Sequence, residues 1–334
     1  MRMFDYSSAL PYYYSILEDE KQARYLRCKY TPVVFSLTDS LDELWSKHDY
    51  IIKNPPSVID DTIPKQSLLD LKIEIAERIF KDCCFCERSC HVNRYEKTGM
   101  CGVKDSCIAS EFLHIGEEHI LVPSYTIFFS GCTFKCVFCQ NYDISQYLKG
   151  SRIEPKLLAL MIKKRKKQGA RNVNYVGGDP TSNTLFILKV LKECDVNIPM
   201  IWNSNMYCSV ETMKLLDGVI DVYLTDFKYG NDRCAQRLSS VKGYTGIIKR
   251  NHLICYQQSE VIVRHLVLPN HTVCCSEPVI RWIHDNIKDV VVNIMPQYHP
   301  EYKACEHPDI SRHVSADEYK KVVELAEKLD LILI

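Results

Sequence analysis

The chemistry in this chain of 334 residues is concentrated in its sulfur. Of 17 cysteines, nine fall between Cys83 and Cys139. A disulfide scaffold is a short secreted chain with an even count, and this chain is neither. Clustered thiols in a reduced compartment point instead to metal or iron–sulfur ligation. The stretch Ser130-Gly-Cys-Thr-Phe-Lys-Cys-Val-Phe-Cys139 spaces Cys132, Cys136 and Cys139 as C-x3-C-x2-C. Three thiolates on one loop can hold three irons of a [4Fe–4S] cubane and leave the fourth iron open to bind a substrate directly. A pure electron carrier normally has four cysteines. The competing readings are a zinc loop that borrows a fourth ligand and a coincidental group of buried thiols. Upstream, Cys83, Cys86, Cys90 and Cys101 supply four thiolates, with Gly99 and Gly102 permitting a tight turn about Cys101. Four cysteines suit a closed structural zinc site or an auxiliary [4Fe–4S] cluster. Cys84 is an alternative to Cys83, and Cys107 is a spare.

The elements that position these loops are legible after residue 124. Short apolar runs at Tyr125–Phe129, Val173–Val176, Pro199–Trp202, Val219–Leu224, Val261–Val267 and Val290–Met295 alternate with amphipathic segments. Apolar stretches with little alternation suit parallel strands covered on both faces. Pro155 opens a helix that stops at Gly169, Ser276 precedes another at Glu277-Pro278, and Ser315-Ala-Asp-Glu318 is a capping box. Six strand–helix units fit residues 124–334, whereas an eight-unit barrel typically takes ~250 residues. The expected fold is therefore α/β, an open (β/α)6 partial barrel. Residues 1–80 form a mainly helical extension, with a proline-bearing connector over 53–64 and a helix over 65–80, and residues 81–123 form a Cys-rich metal-binding segment.

Ligands of parallel α/β folds sit at C-terminal strand ends. There the chain carries Gly177-Gly178-Asp179, Asn203-Ser-Asn205, Asp226-Phe-Lys228, Arg264-His265 and, past the sixth run, His299. Singly each could be a strand cap or a turn, but successive strands present polar groups at one rim.

The Cys132–Cys139 loop, with Phe138 before its last cysteine, resembles the radical SAM superfamily. The resemblance implies that S-adenosylmethionine chelates the open iron of a [4Fe–4S] cluster. One electron then cleaves it to methionine and a 5′-deoxyadenosyl radical, which abstracts hydrogen from a substrate. Gly177-Gly178-Asp179 is similar to the Gly-Gly-Glu element that holds the amino group of S-adenosylmethionine, with Asp179 one methylene shorter than the usual Glu. The rim resembles the glycyl-radical-enzyme activase branch, which by position implicates Asp226, Lys228, Arg264 and His299. The phrases VGGDPT, WNSNMY, DFKYGND, RHLVLPNH and MPQYHPEYKA resemble the PflX-like group, similar to pyruvate formate-lyase activating enzymes, over about residues 80–334. That group also carries a four-cysteine cluster ahead of its barrel. The resemblance implies catalytic roles for Cys132, Cys136, Cys139, Arg264 and His299. It implies a cofactor pocket of Phe138, Gly177, Gly178, Asp179, Asn203, Asn205, Asp226, Lys228 and Arg264. It also implies an electron donor such as flavodoxin or ferredoxin, and a protein or peptide substrate that receives a glycyl radical, a methyl group or another modification.

Charge excludes one class of function. Lys and Arg number 42 and Asp and Glu 42, so bulk charge does not drive polyanion binding. The basic run Lys163–Lys167 reads as the solvated end of a helix, where cations complement the dipole. No apolar run reaches the ~18 residues of a membrane span, and the start, with Asp5 and Pro11, lacks a small-residue cleavage site. A cytoplasmic protein with no membrane or nucleic-acid partner is expected. The rival readings are a non-catalytic iron–sulfur or zinc protein and a radical enzyme acting on RNA or a small metabolite. Cys28, Cys194, Cys208, Cys234, Cys255, Cys274, Cys275 and Cys305 are expected to be small buried hydrophobes, and His265 suits the core as readily as the site.

Overall fold

The computed structural model describes residues 6–56, 62–116 and 118–334. Asp5 and the middle of the expected connector, residues 57–61, lie outside the described residues. Nine strands form one sheet: β1 (Cys107–His114), β2 (Ser124–Phe129), β3 (Ser151–Arg152), β4 (Asn172–Gly177), β5 (Met200–Ser204), β6 (Val222–Asp226), β7 (Glu260–Leu266), β8 (Val291–Met295) and β9 (Ile332–Leu333). Their order is β3–β1–β2–β4–β5–β6–β7–β8–β9, an open barrel wall. The run from β2 to β9 is parallel. The six apolar runs are its strands β2 and β4 to β8, so the expected partial barrel is present.

The sheet also extends beyond those six strands. β1 pairs antiparallel with β2 and with β3, and β9 adds a short parallel edge. The apolar-run criterion passes over β1 because no residue of this strand is fully buried and polar residues interrupt it. It passes over β3 and β9 because each has two residues.

Helices cover the outer face as their caps dictate. Pro155–Lys167 starts on Pro155, and Leu68–Lys81 and Ala316–Lys328 start on the capping boxes of Ser67 with Asp70 and Ser315 with Glu318. Ser276 departs from expectation. It ends a π turn, Thr272–Ser276, and makes no side-chain cap bond to the helix Glu277–Asn286. Its hydroxyl is instead 2.8 Å from His265 Nε2. Three side chains of the basic run meet neighbours: Lys163 pairs with Asp195, Arg165 with Glu111, and Lys166 bonds the Asn197 carbonyl.

The N-terminal extension closes the bottom of the barrel. Leu10 and Tyr13 join Ile120, Leu121, Ile201, Val222, Leu224, Ile262 and Val291 in one buried cluster at the N-terminal strand ends. Tyr13 OH accepts from Asn172 Nδ2 at 3.0 Å, and the Glu260 carboxylate accepts the Tyr13 N–H at 2.9 Å, at the start of helix Pro11–Leu17. Further along, the helix Leu68–Lys81 packs on the helix Thr184–Glu193 of the barrel's outer layer. Among the described residues no helix is long and apolar enough to cross a membrane.

Candidate active site at the C-terminal strand ends

The loop after β2 is held from several sides. Lys135 N–H donates to Ser239 O at 3.0 Å and Val137 N–H to Leu238 O at 2.9 Å, while Lys303 N–H donates to Val137 O at 2.8 Å. Phe134 is buried against Tyr207 and Tyr244, and Phe138 packs edge-on against Tyr298. The three sulfurs each face polar partners. Cys132 Sγ accepts the Phe134 N–H at 3.3 Å, Cys136 Sγ is 2.9 Å from Ser239 Oγ, and Cys139 Sγ is 3.2 Å from Ser145 Oγ. N–H and O–H groups around sulfur stabilise an anionic thiolate-bound centre, so the set fits the cluster that its spacing implies.

β4 approaches this loop through glycine. A Cβ on Gly177, at φ +113°, would lie 2.1 Å from Phe129 N, and one on Gly178 would lie 2.0 Å from Gly131 O. No other residue fits, and the gap is bridged by Gly178 N–H to Phe129 O at 2.8 Å and Asp179 N–H to Gly131 O at 3.0 Å. Asp179 is buried, and its carboxylate already accepts from Thr181 N–H, Ser204 Oγ and Asn205 N–H at 2.9–3.0 Å. Burial raises its pKa, and these hydrogen bonds oppose the rise. The shorter side chain thus ties the ends of β4 and β5 together.

The sheet register sets Asp226 beside Arg264. Arg264 Nε donates to Asp226 Oδ1 at 3.0 Å and Nη2 donates to Asn203 Oδ1 at 2.5 Å, while Lys228 Nζ closes on the other Asp226 oxygen. Burial alone would raise the Asp226 carboxyl, but Arg264 and Lys228 outweigh it and hold it below the usual range. A cavity of about 250 Å³ brings the cysteine loop, Phe138, Gly177 to Asp179, Asn203, Asn205, Asp226, Lys228 and Arg264 to one space. Asn205 Nδ2 lies 3.8 Å from Cys132 Sγ.

Two rim histidines lie elsewhere. His299 is exposed, packs against His313, and does not line the cavity. After β8 ends at Met295 the chain turns Tyr298 inward, and its neighbour His299 faces out. His265 is a core residue, with Nδ1 2.7 Å from Phe227 O, and burial lowers its pKa to about 4.

The cavity also has a floor that the rim pattern did not reveal. Glu118, 3% exposed, accepts from Asn293 Nδ2 at 2.9 Å and lines it with Thr126 and Asn174. Asn174 is 7% exposed, and its Oδ1 has no partner. The available signal was a polar residue inside an otherwise apolar strand, Asn174 in β4 and Asn293 in β8.

The upstream thiols also converge. Cys83, Cys86, Cys90 and Cys101 line one enclosed space with Phe85, Arg94, Gly99 and Ser182, and Cys84 is not part of it. The expectation of scattered hydrophobes fails for three others. Cys274 and Cys305 are exposed, and Cys234, His271 and Cys274 bring their ligand atoms within 4.8 Å of one another. His271 Nε2 is 3.2 Å from Arg237 Nη2.

Comparison with known proteins shows the family of the chain. The Radical SAM superfamily model matches residues 126–296, from β2 to the end of β8. An uncharacterized protein of Methanocaldococcus jannaschii, MJ0674, is 50% identical over 333 residues, covering 96% of this chain and 98% of that protein. Among solved structures, Streptococcus suis SuiB is similar at 13% identity and a TM-score of 0.47, with 63% of this chain and 47% of SuiB covered, so the match spans less than half of SuiB. Methylornithine synthase (PylB) is similar at 15% identity and a TM-score of 0.46, with 88% of this chain and 78% of that protein covered. The chain belongs to the radical SAM superfamily.

Proposed function

We propose that this radical SAM enzyme is PflX-like and activase-like, and that it abstracts hydrogen from a protein or peptide segment presented at the barrel mouth. The observation that carries the proposal is the meeting, in one cavity, of a three-cysteine loop with the Asp226, Lys228, Arg264 and Asn203 set. The [4Fe–4S] cluster supplies the electron for reductive cleavage of S-adenosylmethionine. The protein's residues do the rest. Cys132, Cys136 and Cys139 would hold the cluster through their three thiolates. Lys228 and Arg264 offer positive charge to the methionine carboxylate, and Asp226 keeps both cations in place. Backbone at Gly177 and Gly178 takes the amino group, because the Asp179 oxygens are already occupied. Tyr298 and Phe138 wall off water on the side where His299 was expected to act.

The macromolecular substrate finds support at the rim. Tyr142 stacks on Tyr302 with centroids 5.0 Å apart, and Tyr147, 61% exposed, packs edge-on against both, beside the lining residues Gln140 and Asn141. Exposed aromatic groups at a cavity mouth suit peptide docking. Below them Glu118 and the free Asn174 Oδ1 suit a donor-bearing group, an amide or an amine. In this reading residues 81–123 carry a second metal site, residues 1–80 brace the barrel of residues 124–334, and a flavodoxin- or ferredoxin-like protein delivers the electron.

The test is anaerobic reconstitution followed by dithionite reduction with S-adenosylmethionine. The expected product is 5′-deoxyadenosine, absent for Cys132→Ala; turnover retained by that variant would sink the assignment. Radical transfer is then read as deuterium in 5′-deoxyadenosine after incubation with a perdeuterated extract separated into protein and small-molecule fractions. Label arising only from the small-molecule fraction would overturn the protein-substrate reading.

A further inference from the structure

We propose that Cys83, Cys86, Cys90 and Cys101 hold a second [4Fe–4S] cluster, fully ligated by protein, with the Arg94 guanidinium as its charge partner. The proposal is independent of how the first cluster is used, because these residues lie on a different segment and line a different cavity.

The space between the four thiols is built for an anion. Arg94 is 1% exposed and stacks on Phe80, 4.5 Å from the ring centre. Its Nε donates to Val103 O at 3.0 Å and its Nη1 to Ser182 O at 2.8 Å, both of them neutral acceptors. Nη2 has no partner, and Ser182 Oγ beside it has none. A buried guanidinium without an anion is strongly destabilising. Four thiolates around a metal core are net negative and provide what Arg94 lacks. The loop makes room at one further point. A Cβ on Gly99 would come within 3.0 Å of Cys90 Sγ, and Met100 N–H already points at that sulfur at 3.4 Å.

Spacing separates a cluster from zinc. Tetrahedral zinc at ~2.3 Å from each sulfur holds its ligand atoms within ~4 Å of one another. Among the described residues the group of ligand atoms that meets a 4.8 Å limit is Cys234, His271 and Cys274. The four upstream thiols line their cavity without drawing that close, and so do Cys132, Cys136 and Cys139. A cubane, larger than a single ion, does not require its ligand sulfurs to draw that close. With all four irons taken by cysteine, the upstream cluster has no corner for S-adenosylmethionine, and its chemistry is electron storage or structure. It adjoins the first loop directly, since Arg88, between Cys86 and Cys90, donates from Nε to Thr133 O at 3.0 Å.

The experiment uses the full chain, reconstituted anaerobically, with iron, zinc and acid-labile sulfide counted. About eight irons per chain are expected for the native sequence, and about four for Cys132→Ala/Cys136→Ala/Cys139→Ala. The reduced electron paramagnetic resonance signal of that triple variant should not respond to S-adenosylmethionine. About four irons with zinc in the native protein, or no iron in a folded triple variant, would overturn the proposal. Arg94 gives a second readout that needs no deletion of ligands. Arg94→Gln should lower the midpoint potential of the upstream cluster, because a cation that favours the reduced form is gone, while Arg94→Lys should hold it near the native value. Equal potentials in both variants and the native protein would reduce Arg94 to packing and remove its role as charge partner.

Discussion

Strand β6 ends on one aspartate, Asp226, and is preceded by another, Asp221, and the protein treats them in opposite ways. At the C-terminal end Asp226 sits between Arg264 and Lys228, which outweigh burial and keep it charged. At the other end the Asp221 carboxylate accepts from the N–H groups of Arg24, at 2.9 Å, and Met200, at 2.7 Å, and burial raises its pKa to about 7. The contrast extends around the barrel. The C-terminal mouth gathers thiols, ion pairs and glycines beside an open cavity, while Leu10 and Tyr13 seal the N-terminal mouth with apolar packing. A paired charge at the mouth holds two cations beside the cavity, and at the sealed end a carboxyl whose charge burial disfavours ties the start of β5 to the N-terminal segment.

If the two ends divide chemistry from closure, substitutions should separate activity from stability. The largest effect is at the mouth: Cys136→Ala should reduce 5′-deoxyadenosine formation to the level of a blank while thermal unfolding of the barrel persists. At the sealed end Tyr13→Ala should cost about 3–5 kcal/mol in urea unfolding, as for other large buried aromatic deletions, with the S-adenosylmethionine Kd unchanged. A change in that Kd would break the division. Smaller still, Lys228→Ala leaves Asp226 paired with Arg264, so iron content should hold while the Kd for S-adenosylmethionine rises about tenfold, or about 1.4 kcal/mol. An unchanged Kd would remove Lys228 from the pocket.

The mouth was far more legible in the sequence than the sealed end. Cysteine spacing, Gly177-Gly178 and polar residues ending apolar runs are local patterns, and parallel strands bring them to one rim without further information. The plug was not legible, because Leu10 and Tyr13 meet Ile201 and Val291 only through the tertiary fold. Antiparallel β1 was hidden for a related reason: a strand near the sheet edge with no fully buried residue shows no apolar run. His299 fails where counting residues past a strand stops being reliable, since the side that a loop residue faces depends on the turn before it. Cys234 lies in the helix Asp232–Ser239 after β6, while His271 and Cys274 follow β7, and no spacing rule joins the three.

Asp221 provides the most sensitive probe of the sealed end. Its folded pKa of about 7 exceeds the unfolded value of about 3.9, so between those limits the folded state binds more protons. Stability contributed by this group is therefore present at low pH and falls as pH rises from about 4 to about 7, by at most about 1.4 kcal/mol per pH unit. Glu260 lies nearby and is shifted in the same direction by burial, so the whole-protein slope contains both groups. The difference between native protein and Asp221→Asn isolates one of them. Urea unfolding at several pH values should give a native curve that steepens downward across this window, and a variant curve that is flatter by the Asp221 share. The Asp226→Asn variant should show the opposite change. Asp226 is held below its unfolded value, so its contribution is lost as pH falls, and removing it should flatten the acid limb instead. Two aspartates flanking β6 that shifted the pH profile in the same direction would contradict the division between a charged mouth and a sealed base.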